Sequence, residues 1–449
     1  MRQKTKSAVT VAVAVVTAIG MFFAGFFTGR IKDPDSAALD FIYKTYKKYY
    51  LETSDDAVKT MAESILDEYS EYYTREEYEE MKKISSGVRG GVGMSFYDNA
   101  DGNVEIYSVL GNSPAERSGV KRGGLVKAIK RASDADFVAI KNRTALGDAI
   151  AALALEEEFA LRIEYDGAIA EYVLAREEYR ESYVYYADAS GTYRYSGKGD
   201  DLKLVKYDDS ELSTYTTTFP ADTAYLRYTA FSGTAKGVAG SKGQIDGALK
   251  KFAEDKKTKL VLDLRGNGGG FMSVCSDVAA YFVNAAAKSE PIIATAEYKK
   301  DKNGKGKVDI FEASPILYNN YGFESVVALA DENTASASEV LLGAMLSYDK
   351  DAKVKIVLAE SKEKGSDGTM RSVYRTYGKG IMQTTYPSAF GGGALKLTTA
   401  KLYWPDELKS CIHGVGIRKT SVPYGDRIET PEVIDGKDYV LLRALELCA

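Results

Sequence analysis

Hydrophobic and polar positions change period several times along this chain, and each change marks an element. From Ser7 to Phe27, SAVTVAVAVVTAIGMFFAGFF, the run holds no charge, and Arg2, Lys4 and Lys6 precede it. A stretch of that length can cross a hydrocarbon core, and the basic flank would stay in the cytoplasm. No small-x-small cleavage site follows it. The expectation is an uncleaved single-pass anchor, with a cleaved signal as the alternative. Residues 36–83 then place apolar side chains at three and four spacing, which predicts helices, and Thr74 with Glu77 reads as a capping box.

The texture changes at SGVRGGVGMSFYD, where glycines 87, 90, 91 and 93 precede alternating strands such as NVEIYSVLG. Pro114 opens a short helix that Gly119 can end, and Gly123 and Gly124 permit a turn. ALGDAIAALAL is a further helix, and EFALRIEYDG with IAEYVLAREEY a hairpin. Residues 184–218 are tyrosine-rich and poorly periodic, a linker or extra strands. From Thr223, strands (AYLRYTAF, TKLVLDLRG, ESVVALAD, VKIVLAE) alternate with helical patterns, as crossover units require. The expected organisation is a basic flank and membrane anchor over 1–30, a helical module over 31–86, a small β-rich domain over 87–183, the segment 184–218, and an α/β core over 219–449.

Composition narrows the function. At 449 residues the chain exceeds one typical core. Its 59 basic and 64 acidic residues leave a net charge of -5, which gives nucleic acid no support as a partner. Cys275, Cys411 and Cys448 form no CxxC and no His/Cys cluster, so a structural zinc site is not expected. They read as thiols, with a Cys411–Cys448 disulfide as the lesser alternative.

Candidate chemistry centres on DENTASASEVLLGAM, where Thr334, Ser336 and Ser338 alternate with small residues. Ser336 follows a strand and opens a helix, where unpaired amides could meet a developing oxyanion. A plain helix cap is the simpler account of the motif alone. A nucleophilic serine needs a proton acceptor. The one histidine, His413, has no acidic partner suggested by its surroundings. A lysine serves only where burial lowers its pKa. Lys379, in RTYGKGIMQTTYPS, stands out for its flanking glycines, although a surface turn is the simpler account. LDLRGNGGG lacks both the Gly-Lys-Ser/Thr ending and the GxGxxG order of nucleotide loops. On its own it fits a phosphate cradle and an oxyanion donor alike.

Taken in order, these stretches resemble the C-terminal processing peptidases, the tail-specific or carboxyl-terminal serine proteases with a PDZ domain and a serine/lysine dyad. ILDEYSEYYTREEYEEM is similar to the family's helical lead-in, and GVRGGVGM and GNSPAERSGVKRGG to its PDZ signatures. LVLDLRGNGGG, TASASE, TYGKGIMQT and GGGALKLTTAKLYWP resemble its core motifs, and DYVLLRALELC its closing helix. The resemblance implies a multidomain α/β protein: an N-terminal transmembrane helix, a small helical module, an inserted PDZ-like domain and a crotonase-like, ClpP-type protease core. It implies Ser336 as nucleophile, Lys379 as general base, Gln383 as the residue that orients the lysine, and the amides of Ala337 and Gly269 as oxyanion donors. Gly91, Val92, Gly93 and Met94 would receive a substrate's C-terminal segment by strand addition. No metal or organic cofactor is implied. The partners are protein or peptide substrates and, through the anchor, the cell membrane, with the protease on the extracytoplasmic side; a homo-oligomer is left open. Ser336 and Lys379 stand 43 positions apart, more than the family's usual spacing, and the extra length lies near 361–375. Gly268 replaces a common proline, Gly124 a common aspartate, and Lys419 and Thr420 the usual Pro-Asp. The alternative is a catalytically silent scaffold that holds protein tails.

Overall fold

A computed structural model describes residues 34–50, 56–207, 212, 215, 219–283, 291–314, 321–365, 367–389 and 391–449. The chain divides into two units between Leu66 and Asp67. The first contains helices α1 (Pro34–Tyr49) and α2 (Ala57–Glu63).

The second unit begins with strand β1 (Glu71–Tyr73) and helix α3 (Arg75–Ser85). The predicted capping box is present. Glu77 N–H donates to Thr74 Oγ1 (3.2 Å), and Thr74 N–H to Glu77 Oε2 (2.9 Å). Both elements lie in the unit that begins at Asp67.

The PDZ-like segment runs through β2 (Val88–Gly91), β3 (Met94–Asp98), β4 (Val104–Val109), α4 (Pro114–Arg117), β5 (Leu125–Arg131), β6 (Val138–Ala139), α5 (Arg143–Ala151), β7 (Glu158–Tyr165), β8 (Ala168–Ala175) and β9 (Glu177–Arg180). Its sheet has the order β3-β4-β5-β7-β8, with β6 on β5. Alternate residues such as Ile106, Leu161 and Ile163 turn inward onto Leu146 of α5, the period-2 burial of a one-sided sheet. The chain enters and leaves this segment as a ribbon, with β2 antiparallel to β9. Buried Asn112 ties the segment's end to residue 197: its Nδ2 donates to Arg180 O (2.7 Å) and Gly197 O (3.1 Å).

The remaining elements are β10 (Val184–Asp188), β11 (Gly191–Lys198), β12 (Asp201–Tyr207), β13 (Thr223–Tyr228), α6 (Ser241–Glu254), β14 (Lys259–Asp263), α7 (Met272–Ala279), β15 (Ile292–Tyr298), β16 (Val308–Glu312), β17 (Ser325–Ala330), α8 (Ala337–Tyr348), β18 (Val354–Leu358), β19 (Ser361–Lys364), β20 (Met370–Val373), β21 (Ile381–Pro387), β22 (Ala394–Tyr403), β23 (Ile428–Glu429) and α9 (Tyr439–Cys448). Eight strands form the central sheet in the order β12-β11-β10-β13-β14-β17-β18-β23. The run from β13 to β23 is parallel. Leu260 and Leu262 of β14 pack with α6, α7 and α8, whereas Val261 packs with α9. Both faces are covered, which is why these strands read as continuous apolar runs. A second sheet, β1-β22-β15-β16 with β21 on β22, carries the lysine segment. The extra length near 361–375 forms the β19–β20 hairpin. All three cysteines are free.

The membrane expectations are corrected here. Ser7–Phe27 lies outside the described residues, and among the described residues no helix is long and apolar enough to cross a membrane. The longest of them, α1, has 16 residues and carries Asp35, Asp40, Lys44, Lys47 and Lys48, whereas a span needs about 20 mostly apolar ones. The transmembrane helix, the membrane as partner and the single-pass, extracytoplasmic placement are therefore not carried forward. What stands is a multidomain α/β fold with a PDZ-like β segment.

Candidate active site

Strand β17 delivers Asp331–Ala335 to the start of α8, and this turn is stitched to the loop after β14. Thr334 Oγ1 donates to Leu264 O (2.9 Å), Gly266 N–H to Asp331 Oδ1 (3.0 Å), and Ala335 N–H to Asn267 O (3.0 Å). Ser338 Oγ also donates to Asn267 O, at 2.9 Å. Thr334 and Ser338 are thus buried and committed, while Ser336 remains partly exposed. Its backbone is unusual, with φ +57° and ψ -117°, a region that costs a non-glycine residue about 1–3 kcal/mol.

Gly269 comes up against this turn. With φ +94°, a Cβ there would lie 2.7 Å from Ala337 N and 2.8 Å from Ser336 Cβ. Only glycine permits that approach. Gly269, the expected oxyanion donor, gives its N–H to Asn267 Oδ1 (2.9 Å) in this conformation. Among the described residues, the amides of Ala337, at the first position of α8, and of Gly268 have no partner. Asn267 holds the loop from both sides, since its Nδ2 donates to Tyr228 O (2.8 Å).

Lys379 sits between β20 and β21, and its flanking glycines have a packing reason. A Cβ at Gly378 would lie 2.6 Å from Gly416 N, and one at Gly380 2.7 Å from His413 N. The 413–417 segment therefore backs the lysine loop, with Gly414 N–H on Gly378 O (2.8 Å). His413 itself is exposed, and its ring meets Tyr69 edge-on at 6.4 Å.

Glu339 joins the two loops. Its Oε2 accepts the N–H of Ser336 (2.9 Å) and of Lys379 (2.9 Å), and its Oε1 accepts Gly378 N–H (2.8 Å) and the Thr376 hydroxyl (2.5 Å). Burial raises its pKa above the usual carboxylate value, against the pull of those donors. Tyr377 N–H on Thr334 O (3.0 Å) adds a further stitch. Neither Glu339 nor Asn267 was singled out by the sequence. The S-x-x-E spacing from Ser336 to Glu339 was the available signal for the first.

Burial lowers the pKa of the Lys379 amine, and the positive charge of Lys396 lowers it further; Glu339 and Asp67 pull the other way. Lys396 is fixed by Glu71 Oε2 and Tyr73 Oη, each at 3.1 Å. Among the described residues no hydrogen bond joins Ser336 Oγ to Lys379 Nζ, which lies 5.4 Å from the Tyr69 ring centroid. Gln383 Nε2 donates to Thr398 Oγ1 (3.3 Å) instead of engaging the lysine.

Gly91, Val92, Gly93 and Met94 share a cleft of about 400 Å³ with Leu110 and Ile150. Val92 O and Gly93 O are taken by Ala115 N–H (2.9 Å) and Leu110 N–H (2.8 Å). Strand β3 ends its sheet, so its outer edge has no strand partner among the described residues.

Residues 222–422 match the family model for Peptidase family S41. A protein of Staphylococcus aureus (strain bovine RF122 / ET3-1) described as "Probable CtpA-like serine protease" is 26% identical over 416 residues, covering 90% of this chain and 68% of its own length. A protein of Staphylococcus saprophyticus with the same description is 24% identical over 419 residues, covering 91% and 70%. A solved structure from Bacteroides fragilis NCTC 9343 described as a "Putative S41 protease" is similar in fold, with a TM-score of 0.51, 16% identity and coverage of 90% of this chain and 93% of its own. The chain thus matches peptidase family S41 over residues 222–422 and is similar over most of its length to CtpA-like serine proteases.

Proposed function

We propose that this protein cleaves peptide bonds by acyl transfer, with Ser336 as nucleophile and Lys379 as general base. The observation that carries this reading is the Glu339 carboxylate, one oxygen of which accepts the amides of both residues. A neutral amine at position 379 takes the Ser336 proton as Oγ attacks the substrate carbonyl. The oxyanion rests against the free amides of Ala337 and Gly268. The lysine then passes its proton to the leaving amine, the C–N bond breaks, and an ester remains on Ser336. Water, deprotonated by the same lysine, releases the acid product and restores the hydroxyl. The lowered pKa of Lys379 supports its role. The Ser336 hydroxyl and the amine must close on one another when substrate binds, because they do not bond in this conformation.

Substrate enters by strand addition at the free edge of β3, with its terminal carboxylate at Gly91–Gly93 and its last apolar side chain toward Ile150. The orientation of Gln383 toward Thr398 favours a second reading, a silent scaffold that holds tails without cutting them. The test is incubation of the full chain with unstructured polypeptides of varied C-termini. Cleavage lost in both Ser336→Ala and Lys379→Ala supports the enzyme. Cleavage that survives either substitution sinks the dyad. Tail binding with no cleavage by the unaltered chain supports the scaffold.

A further inference from the structure

Tyr69 enters the site from a part of the chain that the dyad does not use. It lies just before β1; Thr398 N–H on Ser70 Oγ (2.9 Å) pins its segment to the second sheet, and its own N–H turns back onto Asp67 Oδ1 (3.2 Å). Its ring faces Lys379 Nζ at 5.4 Å from the centroid and meets the rings of Tyr377 (6.5 Å) and His413 (6.4 Å) edge-on. The same side chain lines a cleft of about 690 Å³ with His413, Ile381 and Thr398, and Lys379 is not among that cleft's walls. Tyr69 thus borders both the amine and the cleft.

We propose that Tyr69 is a positioning residue of the dyad, whose ring keeps the water of the cleft away from the Lys379 amine. The inference rests on Lys379 being the base. A lysine can act so near neutral pH only while its ammonium form is poorly hydrated. Attraction to the ring face favours the ammonium, but at 5.4 Å that contact is near its outer reach. The net direction for Lys379 is downward, with burial as the leading cause. The charged groups facing the amine from other elements are Lys396 on β22, which favours the neutral form, and Glu339 on α8 with Asp67, which oppose it. Glu68 and Tyr377 act on Tyr69, and raise the pKa of its phenol with Tyr377 as the leading cause. The phenol thus stays protonated while the lysine titrates.

The experiment reads Lys379 directly. In the full chain carrying Ser336→Ala, trace acetylation with acetic anhydride across pH gives the midpoint of the Lys379 amine by mass spectrometry. The acid limb of kcat/KM is followed in parallel with Ser336 intact. Tyr69→Ala should raise both the midpoint and the limb by about one pH unit, while tail-peptide affinity holds. Tyr69→Phe keeps the ring and should leave both where the native chain has them. Tyr69→Leu, which keeps apolar bulk, serves if alanine does not fold, and should shift both upward by less. A native midpoint equal to that of an exposed lysine overturns the base assignment itself. A lowered native midpoint that Tyr69→Ala leaves in place, or that Tyr69→Phe shifts as far, overturns the role of the ring alone.

Discussion

The backbone amides of Ser336 and Lys379 donate to one oxygen, Oε2 of Glu339, each at 2.9 Å. Two residues 43 positions apart are thus brought together by a third that lies three places after the first. The long spacing is thereby accommodated. The β19–β20 hairpin lies outside this clamp, and lengthening a closed loop costs little once its ends are fixed.

Glu339→Gln should damage fold and catalysis together. A carboxamide leaves one acceptor oxygen and turns an NH₂ toward donors, so buried amides lose their partners. Each such loss costs about 1–3 kcal/mol. Loosening the two loops should lower kcat by about 100-fold, with a smaller effect on KM. Thermal unfolding and steady-state kinetics on a tail-bearing substrate check this. Unchanged Tm and kcat would show that the four donors need no carboxylate.

The sequence made the core strands legible because both faces of β13, β14, β17 and β18 are buried, and their apolar runs have no other use. The glycines around Lys379 and in LRGNGGG stood out in the sequence, but what they approach did not. Gly378 makes room for Gly416, and Gly269 for Ala337. Those pairings are long-range and leave no periodic mark. The engagement of the Gly269 amide by Asn267 left no mark for the same reason, since it depends on a side-chain orientation. Over 184–207 no clean period shows because β10, β11 and β12 interleave buried tyrosines, such as Tyr186 and Tyr195, with polar residues.

Gly269→Ala should abolish turnover while sparing tail binding. The new Cβ would occupy the space beside Ala337 N and Ser336 Cβ, and φ +94° would strain the residue as well. Spoiling an oxyanion site typically costs about 100- to 1000-fold in kcat. Binding of a tail peptide to the 91–94 cleft should be unaffected, since no substitution touches it. A kcat within a few-fold of the native value would remove this loop from the chemistry.

Ser336→Gly should be inactive yet more stable than Ser336→Ala. Both lose the hydroxyl, but only glycine adopts φ +57°, ψ -117° without strain. Relief of about 1–3 kcal/mol is offset in part by the greater freedom of glycine in the unfolded chain, about 0.5–1 kcal/mol. A net gain of about 1 kcal/mol over alanine should appear in denaturant titration. Equal midpoints for the two variants would mean that the junction stores no strain.

Lys379→Met should also trade activity for stability, and pH sets the size of the trade. The native fold lowers the pKa of this amine, chiefly by burial. Between the lowered native value and the ordinary lysine value of about 10.4, the unfolded chain holds a proton that the native chain does not. Stability therefore rises with pH through that window. Below it, the full penalty of burying the ammonium is present; above it, the penalty is gone. Methionine fills similar space and titrates nothing. The variant should unfold at a higher temperature than the native chain at neutral pH, by about 1–3 °C, a small gain because solvent still screens a half-buried amine. The difference should shrink as pH climbs toward the lysine range, while cleavage is lost throughout. A gain that is independent of pH would trace to apolar packing alone, and a lower Tm at neutral pH would show that the fold does not disfavour the ammonium at position 379.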